Sequence, residues 1–233
     1  MKTIILAGGL GTRIAEYTDK IPKPMVDVGN KPILSHIMNY YQSYGHDEFI
    51  IASGYKKEVI SEYYKNSKEF KNIKIIDTGK DTMTGGRLLR LKAYITDGED
   101  FFMTYGDGLC SVNLDELVKF HKNHKKIATV TAVHPPVRFG ELEIEGEDVI
   151  EFEEKSQAKA GWINGGFFTL NHKIFEYLKN DQTLFEKEPM KNLLKDKNLK
   201  AYKYDGFWKC MDTLRDKIDL EKILIDKGQI WKK

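Results

Sequence analysis

Through the first half of the chain, short apolar runs alternate with amphipathic stretches. Residues 2–7 are continuously apolar after Lys2 and Thr3, which predicts a strand covered on both faces. Residues 31–44 place Ile33, Leu34, Ile37 and Met38 at helical spacing, and Pro32 is tolerated in a first helical turn. The alternation repeats with strands at 48–53, 73–77, 100–105 and 128–133 and helices at 56–64, 87–94 and 113–123. This order predicts right-handed βαβ units and a mostly parallel sheet. After Pro135-Pro136 the pattern shifts to short alternating strands at 140–145, 149–154 and 162–170, which read as antiparallel. Helices return at 172–179, 188–194 and 213–226. The chain carries no Gly-, Ser- or Pro-rich linker and no repeat. The expected fold is a single α/β domain over residues 1–233, a Rossmann-like mixed sheet flanked by helices.

Charge narrows the partners. The 233 residues hold 37 Lys+Arg against 35 Asp+Glu, a net charge of +2, so bulk attraction to nucleic acid is excluded. The longest apolar runs, such as 4–7 and 49–52, are too short to span a bilayer. The first residues lack the apolar region and cleavage site of a signal peptide. Two cysteines, Cys110 and Cys210, cannot build a disulfide framework. The expectation is a cytoplasmic protein with no membrane and no nucleic-acid partner.

The first strand runs straight into Gly8-Gly9-Leu10-Gly11-Thr12-Arg13. Glycines at a strand end let the backbone approach a ligand and expose N–H donors to anionic oxygens. Gly8, Gly9 and Gly11 are therefore candidates to cradle a nucleotide, and Arg13 adds a forked donor for phosphate. The Gly-Lys-Ser/Thr end of a Walker A loop is absent, and Ile14 replaces the third glycine of a dinucleotide fingerprint. A ligand-free tight turn is the alternative. In Pro22-Lys23-Pro24 the prolines hold the chain extended. Lys23 can then reach the same phosphates as Arg13, the alternative being an exposed loop lysine. Asp107 follows an apolar strand between Gly106 and Gly108, placed to meet a metal–triphosphate or to be a turn carboxylate. Asp212 precedes a helix, where an N-cap is the common role of an aspartate.

The string Leu6-Ala7-Gly8-Gly9-Leu10-Gly11-Thr12-Arg13 with Pro22-Lys23-Pro24 resembles the signature of nucleotidyltransferases that make sugar nucleotides. Thr84-Gly85-Gly86-Arg87-Leu88, Thr104-Tyr105-Gly106-Asp107-Gly108, Arg138-Phe139-Gly140, Ile163-Asn164-Gly165-Gly166 and Met211-Asp212-Thr213-Leu214-Arg215-Asp216 extend the resemblance along the whole chain. They are most similar to the glucose-1-phosphate cytidylyltransferase branch and to the related CTP:phosphoglutamine cytidylyltransferase of capsule synthesis. The resemblance implies the nucleotidyltransferase type of fold, with residues 1–134 mainly binding nucleotide and 135–233 mainly binding the acceptor. It implies that Leu6, Ala7, Gly8, Gly9, Gly11 and Thr12 hold CTP and that Arg13 and Lys23 hold its triphosphate. Thr84, Gly85 and Arg87 would read the base, Asp107 would also meet the nucleotide, and Asp107 with Asp212 would hold Mg²⁺. It further implies a catalytic Lys155 on the acceptor's phosphate, with Glu154, Asn164 and Gly165 in the acceptor pocket, and a homo-oligomer.

The implied reaction joins CTP to a phosphorylated small molecule and releases pyrophosphate. Ser156 follows Glu154-Lys155 where the family usually has proline, Trp162 stands beside the Asn-Gly-Gly, and the 65–72 segment is shorter than in the glucose branch. With Trp162 in the acceptor pocket, these departures favour phosphoglutamine over glucose 1-phosphate. A nucleotide-binding protein without turnover is the reading from another class. His121 and His124, three residues apart, form a poor metal pair and fit packing under the sheet better.

Overall fold

The computed structural model describes residues 1–135, 141–153 and 161–233. In chain order, β1 (Thr3–Leu6) leads through a 3-10 turn to α1 (Ala15–Thr18), then to the two-residue ribbon of β2 (Asp27–Val28) and β3 (Lys31–Pro32). Next come α2 (Ile33–Ser43), β4 (Glu48–Ser53), α3 (Lys57–Tyr64), β5 (Asn72–Asp77), α4 (Thr84–Arg90), β6 (Asp100–Tyr105), β7 (Gly108–Cys110), α5 (Leu114–His124) and β8 (Ala128–Val133). The remainder is β9 (Glu141–Glu145), β10 (Asp148–Glu153), β11 (Ile163–Asn171), α6 (Glu188–Lys195), β12 (Leu199–Tyr204), β13 (Trp208–Cys210) and α7 (Leu214–Lys227).

Seven strands form one mixed sheet in the order β12-β8-β11-β6-β1-β4-β5. β1 runs parallel to both β4 and β6, β5 parallel to β4, and β12 parallel to β8, while β11 is antiparallel to β6 and β8. The antiparallel reading of the second half thus holds in two places: β11 inserts into the main sheet, and β9–β10 form a separate hairpin. β12 is not marked by an apolar run in the sequence. Its alternation, LKAYKY, places Lys200 and Lys203 on an edge strand with no buried residue, a charged edge of the kind that resists pairing with other chains.

Strand alternation divides the core between the two faces. Phe102 and Phe167 pack with Tyr40 and Tyr41 of α2 on one side, and Phe101 and Phe168 with Leu88 and Phe185 on the other. Each of these aromatics is essentially inaccessible to water, and rings of this size dominate core energetics. α4 starts three residues before its predicted start. Gly85 and Gly86 lie inside it because a Cβ on either would stand within 2.8 Å of backbone atoms of residues 181–183. Among the described residues no helix is long and apolar enough to cross a membrane.

Candidate active site

The parallel strands β1, β4 and β6 end on the same edge of the sheet, as the pairing of Leu6 with both Ala52 and Tyr105 requires. β11 runs the other way, so its first residues, Asn164 and Gly165, reach that edge too. The loops that follow enclose a cleft of about 610 Å³ lined by Leu6, Ala7, Gly8, Gly9, Gly11 and Thr12, and by Lys23, Thr84, Arg87, Asp107, Asn164, Gly165 and Asp212 among others. Ligands of open α/β sheets bind outside such strand ends.

Gly11 has φ +66°, a left-handed conformation that glycine adopts without cost. At Gly8 the constraint is space: a Cβ there would fall 2.1 Å from the Arg87 guanidinium. Arg87 is 4% exposed. Its Nη1 donates to Gly79 O at 2.7 Å and Thr78 Oγ1 at 2.8 Å, and its Nη2 to Gly8 O at 2.8 Å and Lys80 O at 3.1 Å. Burial, with Arg90 nearby, lowers its pKa. Both terminal nitrogens are engaged by the protein, so Arg87, which lines the cleft, also ties the Gly8 loop to the 78–80 loop.

Lys23 sits in the 3-10 turn Lys23–Met25 and is 8% exposed. Its Nζ donates to Asp107 Oδ2 at 2.7 Å and to Asp212 Oδ1 at 2.6 Å. Burial alone would lower the ammonium pKa, but the charges and hydrogen bonds of Asp107 and Asp212 outweigh it and raise the pKa. The two aspartates meet because β7 and β13 pair and Met211 N donates to Asp107 O at 2.8 Å. Asp212 is not the helix cap. Thr213 caps α7, in a capping box with Asp216, and Asp216 Oδ2 also accepts from Asp212 N at 3.1 Å. The Asp212 side chain is thereby turned into the cleft. The cysteines lie close by on the paired strands, with Cys210 Sγ donating to Asp212 Oδ2 at 3.6 Å. Burial first, then Asp212 and Asp107, pushes the Cys210 thiol up to about 12. Both cysteines are free.

Two neighbouring carboxylates that already hold a cation form a hard oxygen donor set, of the kind Mg²⁺ takes together with phosphate oxygens. Among the described residues no group of three or more His, Cys, Asp or Glu side chains is arranged to hold a metal. His121 and His124 are a structural pair. Both meet Thr129 Oγ1 at 2.7 Å.

Sequence reasoning missed Glu186. Its carboxylate accepts from Thr84 Oγ1 at 2.7 Å and from the Tyr105 hydroxyl, and it lines the cleft. Burial, then Glu186, raises the Tyr105 pKa. Glu186 lies in an irregular segment with no local pattern, and only the long-range contacts to Thr84 and Tyr105 mark it. On the acceptor side, Asn164 Oδ1 accepts from Gly166 N at 2.8 Å and Trp208 Nε1 donates to Gly165 O at 2.7 Å. Gly85 packs on Thr183, its N–H donating to Thr183 O. Trp162 packs against His134 with ring centroids 4.0 Å apart and the planes tilted by 36°. Arg13 stands in the 3-10 turn Thr12–Ile14, and its side chain lies outside the described part. Arg138, Glu154, Lys155 and Ser156 also lie outside the described residues.

Residues 2–224 match the family model described as nucleotidyl transferase. A glucose-1-phosphate cytidylyltransferase of Salmonella typhi is 45% identical over 255 aligned positions, covering 100% of this chain and 99% of that protein. Among solved structures, HddC from Yersinia pseudotuberculosis, complexed with GMP-PN, superposes with a TM-score of 0.74 at 26% identity, covering 95% of this chain and 98% of that one. A UDP-glucose pyrophosphorylase complexed with UDP-glucose superposes at 0.76 with 19% identity over 97% of this chain and 98% of that one, which speaks to the fold alone.

Proposed function

The chain belongs to the nucleotidyl transferase family, and we propose that within it the protein transfers a cytidylyl group from CTP to glucose 1-phosphate, forming CDP-glucose and pyrophosphate. The observation that carries this reading is the convergence of Asp107 and Asp212 on one cation inside the cleft lined by Gly8, Gly9 and Gly11. The choice of CTP and of the acceptor rests on the full-length match to glucose-1-phosphate cytidylyltransferase. That match favours glucose 1-phosphate over the phosphoglutamine suggested by Ser156 and Trp162.

A phosphate oxygen of the acceptor attacks the α-phosphorus of CTP. The new P–O bond forms as the bond from the α-phosphorus to the bridging oxygen breaks, and pyrophosphate leaves with that electron pair. The attacking phosphate is already ionised near neutral pH, so no general base is needed. The protein supplies positioning and charge neutralisation. The loop at Gly8–Gly11 brings the backbone up to the nucleotide, and Arg87, itself on the cleft wall, holds that loop in place. Arg13 and Lys23 neutralise the triphosphate, and Lys155 aligns the acceptor's phosphate. Asp107 and Asp212 would hold Mg²⁺, which when bound supplies charge neutralisation shared among phosphate oxygens.

The test is pyrophosphate release from CTP and Mg²⁺ with glucose 1-phosphate or phosphoglutamine in parallel, and with UTP, dTTP and ATP as controls. Release with CTP and glucose 1-phosphate alone supports the reading. Release with phosphoglutamine alone moves the acceptor, and CTP binding without release from either leaves a nucleotide-binding protein.

A further inference from the structure

Lys23 and a metal ion require the same position. The Lys23 ammonium lies 2.7 Å from Asp107 Oδ2 and 2.6 Å from Asp212 Oδ1. Mg²⁺ binds carboxylate oxygens at about 2.0–2.1 Å, so an ion shared by these two oxygens would stand where the ammonium stands. The site is shielded: the side chains of Lys23, Asp107 and Asp212 are 10%, 29% and 16% exposed. Two cations in contact repel strongly where water cannot screen them. The backbone of Lys23 is fixed by the bonds of Met25 N to Pro22 O and of Val26 N to Lys23 O. A lysine head can be re-aimed through its four-carbon stem without moving that backbone. Lys23 also packs directly beside the Gly11 turn of the nucleotide loop, where a Cβ on Gly11 would fall 2.9 Å from the Lys23 Cβ.

We propose that Lys23 is the resident counter-cation of the Asp107–Asp212 pair and makes metal uptake depend on the nucleotide. Without nucleotide, Lys23 keeps the two carboxylates converged and keeps a divalent ion out. An incoming triphosphate draws the ammonium off the carboxylates, and the pair then accepts the ion. Metal and nucleotide therefore bind with positive coupling, each tightening the other by the same factor. This rests on the reading of the cleft as a nucleoside triphosphate site, but the exchange of Lys23 for metal can be tested without any nucleotide.

The full-length protein is titrated with Mn²⁺ alone, and free Mn²⁺ is read by electron paramagnetic resonance. Lys23→Met removes the charge and keeps the stem, and Lys23→Gln serves as a second neutral variant should the first fail to fold by circular dichroism. Either variant is expected to bind Mn²⁺ roughly tenfold or more tightly than the wild type, since removing an adjacent like charge favours a charged ligand. Adding Asp107→Asn to either variant is expected to abolish the gain. Equal Mn²⁺ affinity in wild type and variants, or a gain that survives Asp107→Asn, overturns the proposal. CTP titration of the wild type by intrinsic fluorescence tests the underlying reading separately. Absence of CTP binding defeats that reading and leaves the Mn²⁺ comparison standing as a test of the Lys23 exchange.

Discussion

Arg87 reaches 79 residues back along the chain to donate from Nη2 to the Gly8 carbonyl at 2.8 Å. The same guanidinium holds Gly79 O and Thr78 Oγ1, so one buried side chain clamps two loops at the mouth of the cleft. Arg87→Met leaves these acceptors without their donor, and each buried group left unsatisfied costs about 1–3 kcal/mol. The expected result is a lower thermal midpoint together with a larger rise in the KM for CTP than for the acceptor. Arg87→Lys restores only part of both, because an ammonium lacks the planar fork. Equal rises in both KM values would contradict the clamp.

Asp216 holds the Asp212 backbone while closing the Thr213 capping box. Asp216→Ala is expected to cost about 0.5–2 kcal/mol, the range for losing a helix cap. It should also lower kcat, since the N–H that orients Asp212 loses its partner. Denaturant unfolding and steady-state rates check the two effects separately. A stability loss with kcat unchanged would limit Asp216 to a structural role.

Glu186 joins Thr84 at the start of α4 to Tyr105 at the end of β6. Glu186→Gln replaces one carboxylate oxygen with an amide donor, so only one of the two hydroxyls keeps its acceptor. We expect kcat/KM to fall by roughly tenfold, the scale of one net hydrogen bond. Steady-state kinetics with each substrate varied in turn would show the loss, and unchanged values would remove Glu186 from the working site.

Four histidines give stability a pH dependence. Burial is the first cause that lowers the pKa of His36, His46, His121 and His124 in the folded chain. As pH falls through the ordinary histidine value near 6.5, the unfolded chain takes up protons that the folded chain does not. Stability therefore falls with pH in that window. Glu69 and Glu99, both with lowered pKa values through their lysine and N–H donors despite opposing burial, add a further loss only below about 4.5, near the ordinary value of glutamate. Thermal midpoints measured from pH 7.5 down to 5 should decline across the histidine window, and a flat profile there would contradict the buried neutral imidazoles.

Much of this was legible in the sequence because it follows from local pattern. The strands β1, β4, β5, β6 and β8 are marked by apolar runs, and the glycine loop by its position at the end of β1. Asp107 is marked by the glycines on either side. What was not legible depends on partners distant in sequence. Thr213 rather than Asp212 caps α7, which only the Thr213–Asp216 geometry decides. The commitment of Arg87 to Gly8 and Gly79 follows from the packing of α4 against β1. The edge strand β12 reads as polar because both its faces are partly exposed, and Glu186 has no periodic signature.

Product analysis by mass spectrometry tests the cytidylyl transfer itself. Wild-type protein and Asp107→Asn are each incubated with CTP, glucose 1-phosphate and Mg²⁺. CDP-glucose is expected from the wild type at a rate at least roughly 10²-fold above that of Asp107→Asn, the scale of losing one group that stabilises transition-state charge. No CDP-glucose from the wild type, or equal yields from the two proteins, would contradict this expectation.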